Sequence, residues 1–281
     1  MLSSALDLLR CPHCDGALAC DNATVRCEAG HSFDVARQGY LSLLPGDAEL
    51  GSADTAAMVS ARSAFLGAGH FDPLAEEVQS ECERAVAADA GGCVVDLGAG
   101  TGWYLARVLE RVGDRTGLAL DLSKHALRRA ARAHPRIAAV ACDAWRPLPL
   151  RDGVAALALS VFAPRNGPEL ARVLRSRGAL VLASPTRAHL RELVPALGLL
   201  SVDERKPQRL AAQLDPYFDR LAQHGLDWTM ELDHAGVRDL VGMGPSALHT
   251  DAGALEEAVA ALAEPVCVTG SVSVSVYRRR D

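Results

Sequence analysis

The chain has 281 residues, 49% of them hydrophobic and only 4% aromatic, with a formal net charge of −6. That composition can bury a large core of Ala, Leu and Val, excludes a disordered chain, and is the opposite of a uniformly basic nucleic-acid binder, so any RNA contact must come from local patches. No run of eighteen apolar residues occurs, and Asp7 interrupts MLSSALDLLR where a secretory segment would be unbroken; a cytoplasmic protein with no membrane partner is expected, its eight cysteines reduced thiols or metal ligands rather than disulfides.

The first predicted element is a metal module. Cys11, Cys14, Cys27 and His31 read C-x2-C-x12-C-x3-H, two short ligand pairs separated by a loop of hairpin length. Pro12 and Gly16 favour a knuckle turn at the first pair, and Gly30 does the same at the second. Cys20 and His13 are weaker competitors, one in mid-loop and one inside the first turn. Four protein ligands leave no open position, so the expected Zn2+ is structural and holds together some forty residues too few to fold alone. FDVARQGYLSLLPG follows, with a turn at Gly39, and the polar stretch from Gly46 to Asp54 reads as a linker. The expected organisation is a zinc module over 1–45, a linker and connecting helix over 46–70, and a catalytic domain over 71–281.

Two helices come next, the first ending at Gly67 to Gly69, the second opening with Asp72 as N-cap and Pro73 in its first turn. Met58, Arg62, Phe65 and Leu66 share a face of the first, which reads as packing. VVDLGAGTG (residues 94–102) then writes a buried strand, a glycine-rich turn and a helix start. Asp96 is the first polar group as the strand emerges, and Gly98, Gly100 and Gly102 let a ligand approach the main chain. A dinucleotide fingerprint needs its third glycine at position 103, where Trp103 stands, which disfavours a pyrophosphate. The next apolar run, GLAL, ends at Asp121, nineteen residues after Gly102, an acceptor for both hydroxyls of a ribose. Ser123 caps a helix that stops at Pro135. A third strand, IAAVAC, ends at Asp143, placed for an adenine edge. This ordered triplet of acidic strand ends resembles the class I S-adenosylmethionine-dependent methyltransferases. The resemblance implies an α/β, Rossmann-like fold with a seven-stranded sheet behind the small zinc module.

Basic residues cluster three times: Arg128, Arg129, Arg132 and Arg136; Arg172, Arg175 and Arg177; and ERKPQR at 204–209. The first reads as a solvated helix face, and the third, near the carboxyl ends of the strands, is the better RNA contact.

The zinc pattern with HSFDVARQGYLSLLP, ARSAFLGAGHFDPL, DLGAGTGWY, LDLSKHAL, VFAPRNGPELARVLRSRGAL and SPTRAHLREL, spread over essentially the whole chain, resembles the bacterial large-subunit ribosomal RNA guanine-N1-methyltransferases of the RlmA type. The resemblance implies S-adenosylmethionine as cofactor and hairpin 35 of 23S rRNA as partner. The product implied is 1-methylguanosine. It assigns Gly100 and Thr101 to the cofactor turn, puts Phe71 in place of an aromatic in a GHY-like segment, and brings His189 near the cofactor. Ala99 and Thr101 depart from the Cys and Glu of other members, which leaves contact details open. Without the resemblance, His189 reads as a first-turn polar residue of a helix.

The N-P-P-Y signature for exocyclic amines is absent, and SVFAPRN occupies that loop. Phe162 for stacking, the main chain from Ala163 to Pro164, and Arg165 for the base or its phosphate are therefore the guanine-contact candidates, although Phe162 reads equally as strand-end packing. The Ala-, Arg- and Gly-rich composition points to the branch associated with tylosin resistance and its Gram-positive-type guanine. The sister Gram-negative-type guanine, a small-molecule methyltransferase and a noncatalytic RNA binder are the alternatives, and a homodimer is left open.

Overall fold

A computed structural model describes residues 2–21, 23–48, 51, 53–86, 91–200, 203, 206–248 and 251–281, without the side chains of residues 3, 206, 207, 248 and 252. Three linker residues (49, 50 and 52) and the first two of the 204–209 segment lie outside it. A one-turn helix α1 (Leu2–Ala5) precedes an antiparallel three-stranded sheet of β1 (Leu18–Asp21), β2 (Thr24–Cys27) and β3 (Ser32–Asp34), and β4 (Tyr40–Ser42) follows. Helices α2 (Ala56–Gly67) and α3 (Asp72–Ala85) lead into β5 (Cys93–Leu97), α4 (Trp103–Leu109), β6 (Gly117–Asp121), α5 (Lys124–Ala133), β7 (Ile137–Ala141), β8 (Ala155–Val161), α6 (Gly167–Val173) and β9 (Leu174–Pro185). The chain ends with α7 (Leu193–Leu197), α8 (Lys206–Leu214), β10 (Phe218–Leu232), α9 (His234–Gly242), α10 (Ala252–Ala260) and β11 (Val266–Arg279).

The large sheet runs β10-β11-β9-β8-β5-β6-β7-β4. All pairs from β9 to β4 are parallel, while β11 runs antiparallel to both neighbours. Each of β5, β7 and β8 is buried along its whole length, as strands covered on both faces must be. Strands β5 to β11 are the seven expected. The eighth, β4, is a departure: it falls inside the segment given to the zinc module, yet it pairs with β7 as Tyr40↔Ala139, Leu41↔Val140 and Ser42↔Ala141. Leu41 and Leu43 are fully buried beneath it. A three-residue strand is too short to show a period in the sequence.

Alternation along the strands divides the core into two layers. Ala119, Ala139 and Ala141 face Leu74, Val78, Leu105, Leu109, Leu127 and Ala130, so α3, α4 and α5 cover one side. Leu118, Leu120, Ala138 and Val140 face Leu6, Leu9, Leu18 and Phe33, so the N-terminal module lies on the other. Gly102, at φ 74°, starts α4 where a Cβ would stand 3.0 Å from Ala130 Cα, and the close crossing of α4 over α5 depends on it. The second predicted helix start differs in detail. Phe71 holds the N-cap position without a side-chain bond, Asp72 is already helical, and its carboxylate accepts instead from Arg107 at 2.7 Å. Among the described residues no helix is long and apolar enough to cross a membrane.

Candidate functional site: a zinc ribbon and a cofactor cleft

The metal ligands converge as their spacing predicts. Cys11 Sγ lies 3.6 Å from His31 Nδ1, Cys14 Sγ 3.6 Å from Cys27 Sγ, and Cys27 Sγ 3.3 Å from His31 Nδ1, with all four donor atoms within 4.8 Å of one another. A zinc tetrahedron with bonds of about 2.0–2.3 Å has edges of about 3.3–3.8 Å, so the donor set fits the ion. Two tight turns make it. The Cys11 N–H donates to Gly16 O (2.9 Å) and the Asp15 N–H to Cys11 O (2.9 Å), while the Cys27 N–H donates to His31 O and the Gly30 N–H to Cys27 O, both at 3.0 Å. Cys20 lies on β1 outside the cluster, and the His13 ring packs against Phe33 with centroids 5.9 Å apart.

The glycine turn sits at the carboxyl ends of β5 and β6. Gly98 and Ala99 donate their N–H groups to Leu120 O at 2.8 and 3.0 Å, tying the turn to the neighbouring strand. At Gly98 a Cβ would lie 2.5 Å from Ala163 Cβ, so the loop after β8 closes directly on the turn. Asp96 is inside β5 and 2% exposed, deeper than the strand end inferred from the sequence. Burial, and then the Asp121 charge, hold its carboxyl up at about 7. Asp121, at the end of β6, accepts the Gly100 N–H at 2.8 Å and the Ser123 N–H at 2.7 Å. Burial raises this carboxyl too, against the lowering effect of those two donors. Asp143 stands just past β7, accepting the Trp145 N–H at 2.9 Å, with the indole of Trp145 exposed beside it.

The cleft's far wall is aromatic. Phe71, Phe162 and His189 form a triangle with centroid separations of 6.0, 5.6 and 6.2 Å, and Trp228 packs edge-on to Phe71 at 5.4 Å. Phe162 is 38% exposed and takes φ 54° directly after β8, so it is not buried strand-end packing. His189 lies in a turn after β9 rather than in a helix, where its Nδ1 accepts the Ser271 N–H at 3.1 Å. A neutral ring so held carries its hydrogen on Nε2. Arg165 folds back: its Nη2 donates to Ser184 Oγ at 2.7 Å, and burial lowers the guanidinium pKa.

Two features escape the sequence reading. Arg62 shares the face of α2 with buried Met58, Phe65 and Leu66, yet its guanidinium reaches over the glycine turn, 3.2 Å from where a Gly100 Cβ would be. There it pairs with Asp54 and donates to Met243 O at 2.7 Å. The linker's last residue is docked as well, because Ser123 Oγ donates to Asp54 O at 2.7 Å. Of the second basic cluster, two members are consumed internally: Arg172 binds Glu169, Asp152 and two carbonyls, and Arg175 binds Gly91 O. The described part of the 204–209 segment is the start of α8, where Arg209 pairs with Asp203 at 2.8 Å.

Comparison with known proteins bears on both halves. Residues 9–49 match the zinc-ribbon family described as RlmA, N-terminal, and residues 94–178 match a methyltransferase domain. The chain is 51% identical over 278 residues, 99% of each protein, to a 23S rRNA (guanine(748)-N(1))-methyltransferase of Streptomyces fradiae. It belongs to the RlmA-type guanine-N1-methyltransferase family. A Micromonospora griseorubida protein provisionally given the same guanine-N(1) designation is 50% identical over 287 residues, 96% of this chain and 97% of that one. The YcgJ protein of Bacillus subtilis superposes with a TM-score of 0.51 at 13% identity, over 73% of this chain and 99% of that one, and shows the fold alone. As an RlmA-type methyltransferase the chain uses S-adenosylmethionine and a structural zinc ion.

Proposed function

We propose that the chain methylates N1 of a guanine in the hairpin 35 loop of 23S rRNA, at the Gram-positive-type position linked to tylosin and related macrolides. The reading is carried by the end-to-end similarity to the guanine(748) enzyme of Streptomyces fradiae, which spans the ribbon and the catalytic domain together. Such an enzyme works on RNA in the bacterial cytoplasm. A homodimer is compatible with this reading.

The geometry supports the following roles. Gly98, Gly100, Thr101 and Gly102 form the bed for the amino acid end of the cofactor, with Asp96 beneath and Arg62 beside it to receive the carboxylate. Asp121 offers acceptor oxygens to the ribose and Asp143 to the adenine. Phe71 and His189 close the methyl-bearing end. Bound there, S-adenosylmethionine supplies an electrophilic methyl group on a sulfonium. Guanine N1 would give its proton to solvent water and, with the electron pair this frees, take the methyl group while the carbon–sulfur pair leaves with S-adenosylhomocysteine. Phe162, turned outward beside the cleft, is the stacking surface that holds the unpaired base in line, and Pro164 borders it. Arg165 anchors this loop to β9 through Ser184. A methyl on N1 blocks base pairing, so primer extension on treated 23S rRNA should stop one nucleotide before the Gram-positive-type guanine. A stop at the neighbouring Gram-negative-type guanine moves the chain to the sister branch.

A further inference from the structure

The helical side of the sheet carries a charge arrangement that the cofactor cleft does not use. A cavity of about 800 Å³ opens between α2, α4 and α5, and Arg107, His125, Arg128, Arg129 and Arg132 line it. The four α5 residues stand at i, i+3, i+4 and i+7, so one helix face presents them all. Arg107 is paired with Asp72 and lies over the Trp103 ring at 4.0 Å, which makes that wall an aromatic–guanidinium plane. Arg128, Arg129 and Arg132 have no hydrogen bond or ion pair with any described residue, and Arg128 Nε is buried without a partner. Like charges one helical turn apart destabilise a helix, and a concave site concentrates their field. In a chain of net charge −6, where Arg172 and Arg175 are tied down internally, this patch stays uncompensated. Its charge and shape suit a row of phosphates.

The position narrows the partner. Thr101 of the cofactor turn lines the same cavity, so the patch begins where the cofactor site ends. It lies on the sheet face opposite the zinc ribbon, since α4 and α5 pack in one core layer and the ribbon in the other. A folded RNA whose guanine enters at the strand ends would thus be flanked by the ribbon on one side and by α5 on the other.

We propose that the Arg107–Arg128–Arg129–Arg132 cavity is a second RNA-contact surface, holding backbone phosphates of the helices that flank the methylated loop. This rests on the ribosomal RNA reading above. Binding of a 23S fragment containing hairpin 35 and its flanking helices should therefore be measured against salt for the wild type, Arg128→Ala/Arg132→Ala, and Arg128→Lys/Arg132→Lys. The alanine variant should lower the slope of log K against log[salt] by about 1.5–2, the loss of two phosphate contacts, and the lysine variant should restore most of it. Charge reversal, Arg128→Glu/Arg132→Glu, should weaken binding at least roughly tenfold at physiological salt. Zinc content and calorimetric affinity for S-adenosylmethionine should match the wild type in every variant. Wild-type slope and affinity in the alanine and glutamate variants would overturn this proposal and leave the methylation reading intact. An equal loss on the isolated hairpin loop would overturn the assignment to flanking helices. A wild-type chain that neither binds nor methylates the RNA overturns both.

Discussion

The zinc ribbon and the cofactor cleft are built on opposite plans. In the ribbon, four side chains from two tight turns within 21 residues meet around one point, and the local chain dictates nearly everything. In the cleft, the groups come from α2, the linker, the ends of β5, β6 and β7, and the loops after β8 and β9, so no short stretch contains the site. The ribbon's order comes from a bound ion, because its small share of apolar residues could not fold it alone. The cleft has a complete core beneath it and instead retains buried charge. Asp96, inside β5, and Asp121, at the end of β6, both have raised pKa, and in the proposed cofactor site the positive charge of S-adenosylmethionine would offset that cost.

The sharpest way to break the contrast is to remove one ligand from the ribbon. Cys27→Ser should reduce bound zinc from about one equivalent to well under half, since structural zinc in such sites contributes roughly 10–16 kcal/mol of binding free energy. Hydrogen exchange should then show loss of protection over residues 9–34, with methylation of 23S rRNA abolished. The catalytic domain should still bind S-adenosylmethionine. Its Tm should nevertheless fall, because Leu6, Leu9 and Leu18 share a core layer with Leu118 and Leu120. If the variant kept full protection and full activity, the ribbon would not be a zinc-dependent unit.

A smaller effect sharpens the other half. The folded-state pKa of Asp96, about 7, is above its ordinary 3.8, so between these values the native chain holds more protons than the unfolded one. The stability associated with Asp96 is therefore greatest near pH 4 and is lost as pH rises through 7. Asp96→Asn should flatten that dependence and raise stability of the cofactor-free protein at pH 8 by about 1–3 kcal/mol, read as a higher Tm, while weakening the cofactor in calorimetry. The same pH profile in wild type and variant would show that Asp96 ionises normally.

The two plans also explain what the sequence made legible. The ribbon was readable to the residue, because metal geometry fixes spacing and residue type together. So were the three strands that lead to Asp96, Asp121 and Asp143, which follow from apolar runs and glycine chemistry, whereas the seven-stranded sheet came only with the resemblance to class I methyltransferases. Arg62 was not, since its helical spacing with Met58 and Phe65 is that of ordinary packing and only the tertiary fold brings it over Gly100. β4 was too short to register a period, and its pairing with β7 is a long-range event. Composition alone does not show which arginines of the basic clusters are held internally. Whether an arginine is available depends on carboxylates and carbonyls brought from elsewhere: Arg172 finds them, and Arg128, Arg129 and Arg132 do not.

The most direct test of the account is chemical. Unmodified 23S rRNA should be incubated with the zinc-loaded protein and methyl-labelled S-adenosylmethionine, the hairpin 35 fragment separated from the rest, and each portion digested to nucleosides and resolved by mass spectrometry. The account predicts about one labelled methyl per RNA, all of it in 1-methylguanosine from the hairpin 35 fragment, and label in N2-methylguanosine, in another base, or in no nucleoside at all would contradict it.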